Sequence, residues 1–237
     1  MKSNIADFFE IKNATDKELD LYFYGDIIDD GWETYDDEII QYPQAIKDFL
    51  TRAKGRALNI HINSGGGSVF AGIAIYNMIK NYPGKTTTYV EGLAGSIASV
   101  IALASDKVIM RTGSVFMIHK PLVGIQGYYN ADRLLEMATT LNAIQGAILE
   151  VYKENLAPGA SIEEIEKMVN DETWLTSNEA AQYFNVELEN LSAVACTSEY
   201  LEKYAPIPLD ITRKVEILKA QLELQEIIRK GEAKING

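Results

Sequence analysis

Short β-branched and aromatic runs alternate along this chain with stretches whose apolar residues recur every three or four positions. Leu19-Asp20-Leu21-Tyr22-Phe23-Tyr24 predicts a strand ending at Gly25. Ala45, Ile46, Phe49 and Leu50 share one face of a helix closed by Lys54-Gly55. Residues 57–62 alternate as a strand, and Asn63-Ser64-Gly65-Gly66-Gly67-Ser68 reads as a turn. The helix after it turns Val69, Ile73, Ile75, Tyr76 and Ile79 inward and stops near Pro83-Gly84. Residues 85–90 predict another strand, and 97–104, apolar on every side, a buried helix. Two short strands, 107–110 and 114–118, flank Arg111-Thr112-Gly113.

A glycine-containing segment, 121–129, then precedes a long amphipathic helix over 131–155. Ser161 with Glu164, and Thr176 with Glu179, are capping-box starts for two more helices. Strands alternating with helices make an α/β domain with parallel pairing.

The ends differ from this middle. Residues 1–18 are polar and mixed, an N-terminal arm ahead of a domain over 19–195. Seven carboxylates crowd 26–38 around Trp32, a solvated loop without the glycine-anchored pattern of a calcium loop. After Pro206 and Pro208, Ile211, Val215, Leu218 and Leu222, then Leu224, Ile227 and Ile228, mark an amphipathic helix. Residues 196–237 therefore read as a C-terminal helical extension, packed on the domain or on a neighbouring subunit.

Composition narrows the function. At 237 residues and 47% apolar, the chain can bury a sizeable core. A net charge of −12 argues against nucleic acid and against an anionic membrane surface. The single cysteine, Cys196, allows no internal disulfide and fits a reducing compartment. With only His61 and His119 for imidazole ligands, a zinc site is disfavoured. The start lacks an apolar signal core, and the most apolar window, 92–104, is too short to cross a bilayer. A cytoplasmic protein is the expectation.

Three features gain chemical meaning together. Ser96 sits where a strand turns into the buried helix, His119 at the end of a strand before a loop, and Gly65-Gly66-Gly67 can form an anion-binding turn. Each has a plainer reading: a tight helix contact, a structural histidine, a flexible turn. No Gly-Lys-Ser/Thr follows the glycines to make a nucleotide loop. Serine hydrolysis needs a hydroxyl, a base, a carboxylate to orient that base and amide donors for the oxyanion.

Four ordered segments resemble the Clp protease proteolytic-subunit family over roughly residues 19–190. Ile62-Asn63-Ser64-Gly65-Gly66-Gly67-Ser68-Val69 is similar to its glycine-rich turn, with Gly65 where proline is usual. Gly92-Leu93-Ala94-Gly95-Ser96-Ile97-Ala98-Ser99 resembles its nucleophile turn, and Met117-Ile118-His119-Lys120-Pro121-Leu122 its histidine segment. Gly124 to Gly127 resembles the glycine-containing strand that follows. Trp174-Leu175-Thr176-Ser177-Asn178-Glu179-Ala180-Ala181 resembles the segment after the third catalytic residue.

The resemblance implies Ser96 as nucleophile, His119 as general base, and the amides of Gly66 and Ile97 as the oxyanion hole. Counting back from Trp174 puts Glu172 where the family has aspartate, with Asp171 beside it. Consecutive residues rarely point the same way, so only one should reach His119, and the count favours Glu172. An extended peptide would lie along Gly67 and add as a strand beside Gly124, Ile125, Gln126 and Gly127. The implied fold is the crotonase-like spiral of ββα units, the helix from Ala131 projecting as a handle. Family members pair seven-membered rings into a chamber and take unfolded chains from an ATPase. No metal or bound cofactor is required.

The arm departs from the family's usual axial-pore segment, while the loop around Gly31-Trp32 with its acidic tract and the C-terminal extension resemble phage-encoded relatives tied to capsid maturation. Two other readings compete. One is an acyl-CoA enzyme of the crotonase superfamily; the other is a non-catalytic assembly protein that binds a capsid or partner through its tail. With His119 as the base, activity should fall below its ordinary pKa of about 6.5.

Overall fold

A computed structural model describes residues 18–29 and 40–192. The arm before Glu18, the centre of the acidic tract and the C-terminal extension with Cys196 lie outside the described residues. The sheet is built from β1 (Glu18–Ile27), β2 (Ile40–Gln41), β3 (Ala57–Gly67), β4 (Thr86–Gly95), β5 (Lys107–Thr112), β6 (Val115–Ile118), β7 (Thr173–Thr176) and β8 (Glu187–Ser192). The helices are α1 (Pro43–Ala53), α2 (Val69–Lys80), α3 (Ile97–Ala102), α4 (Ala131–Glu154), α5 (Ile162–Asn170) and α6 (Ser177–Tyr183).

The main path runs β2-β1-β3-β4-β5-β8 with every pair parallel. This is the α/β arrangement that alternating elements predict. Along β1, Leu19, Leu21 and Phe23 are buried while Asp20, Tyr22 and Tyr24 are half-buried. Leu58, Ile60 and Ile62 of β3 repeat that alternation in register, Leu21 opposite Ile60 and Phe23 opposite Ile62. Ile46 and Phe49 of α1, Ile75 and Ile79 of α2 and the whole of α3 join this core. Both capping boxes form, on Ser161 and on Thr176.

Three expectations need correction. The glycine stretch is extended strand, not a turn: β3 continues to Gly67, with Asp26 opposite Gly66 and Ile27 opposite Gly67 past a bulge. Gly66 and Gly67 reach it with φ of +104° and +146°, backbone that residues with a Cβ rarely adopt. The buried helix stops at Ala102, two residues short of the apolar run. Residues 121–129 form no strand, and Leu122, Val123, Ile125 and Tyr128 are exposed. The segment leaves the sheet after β6, and its glycines do not favour an extended run.

α4 projects from the body. Its first three turns are largely exposed, and it becomes buried at Gln145, Ile148 and Tyr152.

Candidate active site

Neighbouring strands bring the chemistry to one end of the sheet. β6 lies parallel to β4, with Gly95 opposite Met117, so Ser96 and His119 follow the ends of paired strands. The Ser96 amide donates to Met117 O over 2.8 Å and extends that pairing to the turn itself. β7 is antiparallel to β6, with Ile118 opposite Thr173. Its start therefore lies where β6 ends, and Glu172 stands immediately before it.

The turn at Ser96 is sharp. This residue has φ 52° and ψ −126°, a conformation that costs energy outside glycine and recurs at functional sites. Its Oγ is 2.8 Å from His119 Nε2. A neutral imidazole with Nε2 as acceptor can take the hydroxyl proton. His119 is 8% exposed, and burial pushes its pKa down to about 4. The buried site disfavours the charged ring, so the acid loss of activity is expected below the 6.5 of an unperturbed imidazole.

Of the two candidate carboxylates, Glu172 faces the histidine and Asp171 faces solvent. Asp171 caps α5 and is exposed. Glu172 takes φ 48°, turning the chain between α5 and β7, and its Oε2 stands 3.9 Å from His119 Nδ1. Its Oε1 is buried with no hydrogen-bond partner among the described residues.

Gly66 packs directly on the Ser96 turn. A Cβ placed on it would come within 2.8 Å of both Gly95 O and Ser96 Cβ, and 3.2 Å of the Ile97 nitrogen. Its own amide donates to Ser64 Oγ over 3.1 Å, and Ser64 in turn donates to Gly25 O over 2.6 Å. The Gly66 amide thus has a local acceptor. Sequence reasoning did not single out Ser64. Its signal was its position inside the glycine stretch.

Beside the site runs a groove of about 440 Å³ between α2 and α4. Gly67, Phe70, Pro121, Leu122 and Val123 line it together with Met137 and Ile144 of α4. Of the residues expected to hold substrate, Gly67 borders this groove. Gly124, Ile125, Gln126 and Gly127 stand exposed beyond it, and a Cβ on Gly124 would meet nothing within 4 Å.

Comparison with known proteins adds three findings. The profile of the Clp protease family matches residues 36–186. The ATP-dependent Clp protease proteolytic subunit 1 of Chlamydia abortus is 37% identical over 131 residues, covering 54% of this chain and 67% of that protein. The ATP-dependent Clp protease proteolytic subunit of Porphyromonas gingivalis is 32% identical over 170 residues, 69% of this chain and 70% of that one. Among solved structures, a point mutant of ClpP1 from Listeria monocytogenes superposes with a TM-score of 0.56 at 24% identity. It covers 73% of this chain and 91% of its own, a likeness of fold.

Proposed function

The chain belongs to the Clp protease family, and on that premise we propose that it cleaves peptide bonds through Ser96, His119 and Glu172. The serine-type peptidase activity follows from the family. The assignment of residues rests on one observation above all, the 2.8 Å approach of His119 Nε2 to Ser96 Oγ.

In this reading His119 takes the Ser96 proton as Oγ attacks the peptide carbonyl. The tetrahedral oxyanion forms toward the amides of Ile97 and Gly66. His119 then gives its proton to the departing amine, leaving an ester on Ser96. Water, deprotonated by the same ring, attacks that ester, and Ser96 recovers its proton as the acid leaves. Glu172 orients the imidazole and stabilises its protonated form.

We further propose an oligomeric chamber fed with unfolded chains by an ATPase. Leu122, Val123, Ile125 and Tyr128 beside the site, with Leu134 and Leu135 on α4, expose more apolar surface than isolated positions would. That surface supports burial against other copies. The domain limits of 19–195 remain part of the proposal, with the flanking arm and extension as attachments. A role in capsid maturation rests on segments outside the described residues, and the gene's neighbours would decide between it and general proteolysis.

The direct test is a fluorophosphonate probe on the assembled protein. Labelling should be lost in Ser96→Ala and in His119→Ala. Labelling that survives Ser96→Ala would overturn the assignment.

A further inference from the structure

Ser99 and Tyr152 have no part in the chemistry above, yet both are buried against it. Ser99 on α3 is fully buried and Tyr152 on α4 is 1% exposed. Ser99 Oγ donates to the carbonyl oxygen of Ser96 over 2.5 Å, and the Ser99 amide reaches the same oxygen over 3.0 Å. A serine hydroxyl has one proton to give. With that proton committed to Ser96, the 2.7 Å contact between Ser99 Oγ and the Tyr152 hydroxyl must be donated by Tyr152. The result is a one-way chain from Tyr152 O–H through Ser99 O–H to Ser96 C=O. Burial raises the Tyr152 phenol far above its ordinary range, so its donor proton persists.

The chain grips one particular peptide. The Ser96 carbonyl and the Ile97 N–H belong to the same planar unit and point in opposite directions. Holding the oxygen therefore sets where the N–H points. Ser96 lies in sparsely populated φ/ψ space, where a conformation persists only if its surroundings over-determine it.

We propose that Tyr152 and Ser99 are positioning residues that hold the Ser96–Ile97 peptide with its N–H toward the developing oxyanion. The inference rests on the reading of Ile97 as an oxyanion donor. It makes the packed end of α4 a condition of a competent nucleophile turn. The Tyr152 ring lies edge-on to Phe184 at 5.4 Å, and Phe184 lies 5.3 Å from Phe116 of β6. The ring is thus held by packing, and Tyr152→Phe removes the proton while leaving the contact.

The test uses the full chain and the variants Tyr152→Phe, Ser99→Ala, Ser99→Thr and Tyr152→Phe with Ser99→Ala. Three quantities are measured: the rate of fluorophosphonate labelling at Ser96, kcat and KM on a fluorogenic peptide, and the melting midpoint. Loss of a whole oxyanion donor costs roughly 100- to 1,000-fold in kcat, so its misorientation should cost about tenfold. Tyr152→Phe should slow labelling and kcat by that factor, with KM and the acid limb of the pH profile unchanged. Ser99→Ala should cost at least as much, Ser99→Thr should restore the rate, and the double variant should be no slower than Ser99→Ala.

Additive losses, a change in KM alone, or full-rate labelling in folded Tyr152→Phe would overturn the inference. Should Tyr152→Phe fold poorly, Ser99→Ala against Ser99→Thr decides it, equal rates in the two being the adverse result. Absence of labelling in the unmodified chain overturns the catalytic reading and this inference with it; labelling that Tyr152→Phe does not slow overturns this inference alone.

Discussion

The carboxylate of Glu172 stands 3.9 Å from His119 Nδ1, beyond hydrogen-bond reach, and its other oxygen is buried with no partner among the described residues. The proposed triad is therefore tight between Ser96 and His119 and loose between His119 and Glu172.

Glu172→Gln should therefore lower kcat by about 10- to 100-fold, less than the ~10,000-fold known for a tightly joined triad carboxylate. Asp171→Asn, on an exposed helix cap, should leave kcat within about twofold. Steady-state hydrolysis of a fluorogenic peptide by the two variants separates them. Equal losses, or a larger loss in Asp171→Asn, would overturn the choice of Glu172.

The pH profile carries a second expectation. In its proposed role His119 accepts a proton only when neutral, and burial lowers its pKa to about 4. Activity should persist down to about pH 5 and fall as pH drops through 4. Stability behaves differently. The unfolded ring titrates near 6.5, so between 6.5 and 4 the unfolded state binds the proton and the folded state does not. Stability is full above 6.5, declines as pH falls toward 4 and loses roughly 3 kcal/mol over that window. Urea melts at several pH values, compared with the same melts of His119→Gln, measure it.

Gly66→Ala should abolish labelling of Ser96. The added methyl meets Gly95 O and Ser96 Cβ at 2.8 Å, and a φ of +104° is strained for any residue with a Cβ. Relief has to come from moving the nucleophile turn. Intact-protein mass spectrometry after fluorophosphonate treatment reads the loss, and a melting curve reports the cost to the fold.

The fold and the site differ in how far they could be read from residues alone. Apolar alternation placed β1 and β3, and helical spacing placed α1, α2 and α4, because burial on one face leaves a direct pattern. The glycine strand was misread because glycine signals turns more often than strands, and its pairing with β1 depends on a bulge that spacing does not encode. Ser96 and His119 stood out by residue type and position. Counting back from Trp174 already favours Glu172 over Asp171, and the antiparallel β7 adds a spatial reason by setting the residue before Thr173 beside the end of β6. Tyr152 left no signal, since a tyrosine on an amphipathic helix reads as packing.

On the sheet face away from α2 and α3, polar residues do structural work that a last substitution tests. Glu91 Oε1 accepts from His61 Nδ1 over 2.7 Å, and Oε2 accepts from Arg111 Nε over 3.2 Å. Arg111 also donates to Glu189 over 2.9 Å and lies 4.8 Å above the Tyr89 ring. His61 is stacked between Tyr22 and Tyr89, at 4.5 and 5.3 Å. Burial alone would raise the Glu91 pKa, but the His61 hydrogen bond and the Arg111 charge outweigh it and hold the carboxyl low. A depressed carboxylate adds stability above its unfolded pKa, and that stability is lost as pH falls through the folded value. Glu91→Gln keeps the shape and removes the charge, leaving Arg111 half-buried with Glu189 alone. It should cost about 1–3 kcal/mol at neutral pH in urea melts, with the difference from the unmodified chain shrinking as pH falls below about 4. A constant difference across that range would mean that Glu91 contributes by shape and not by charge.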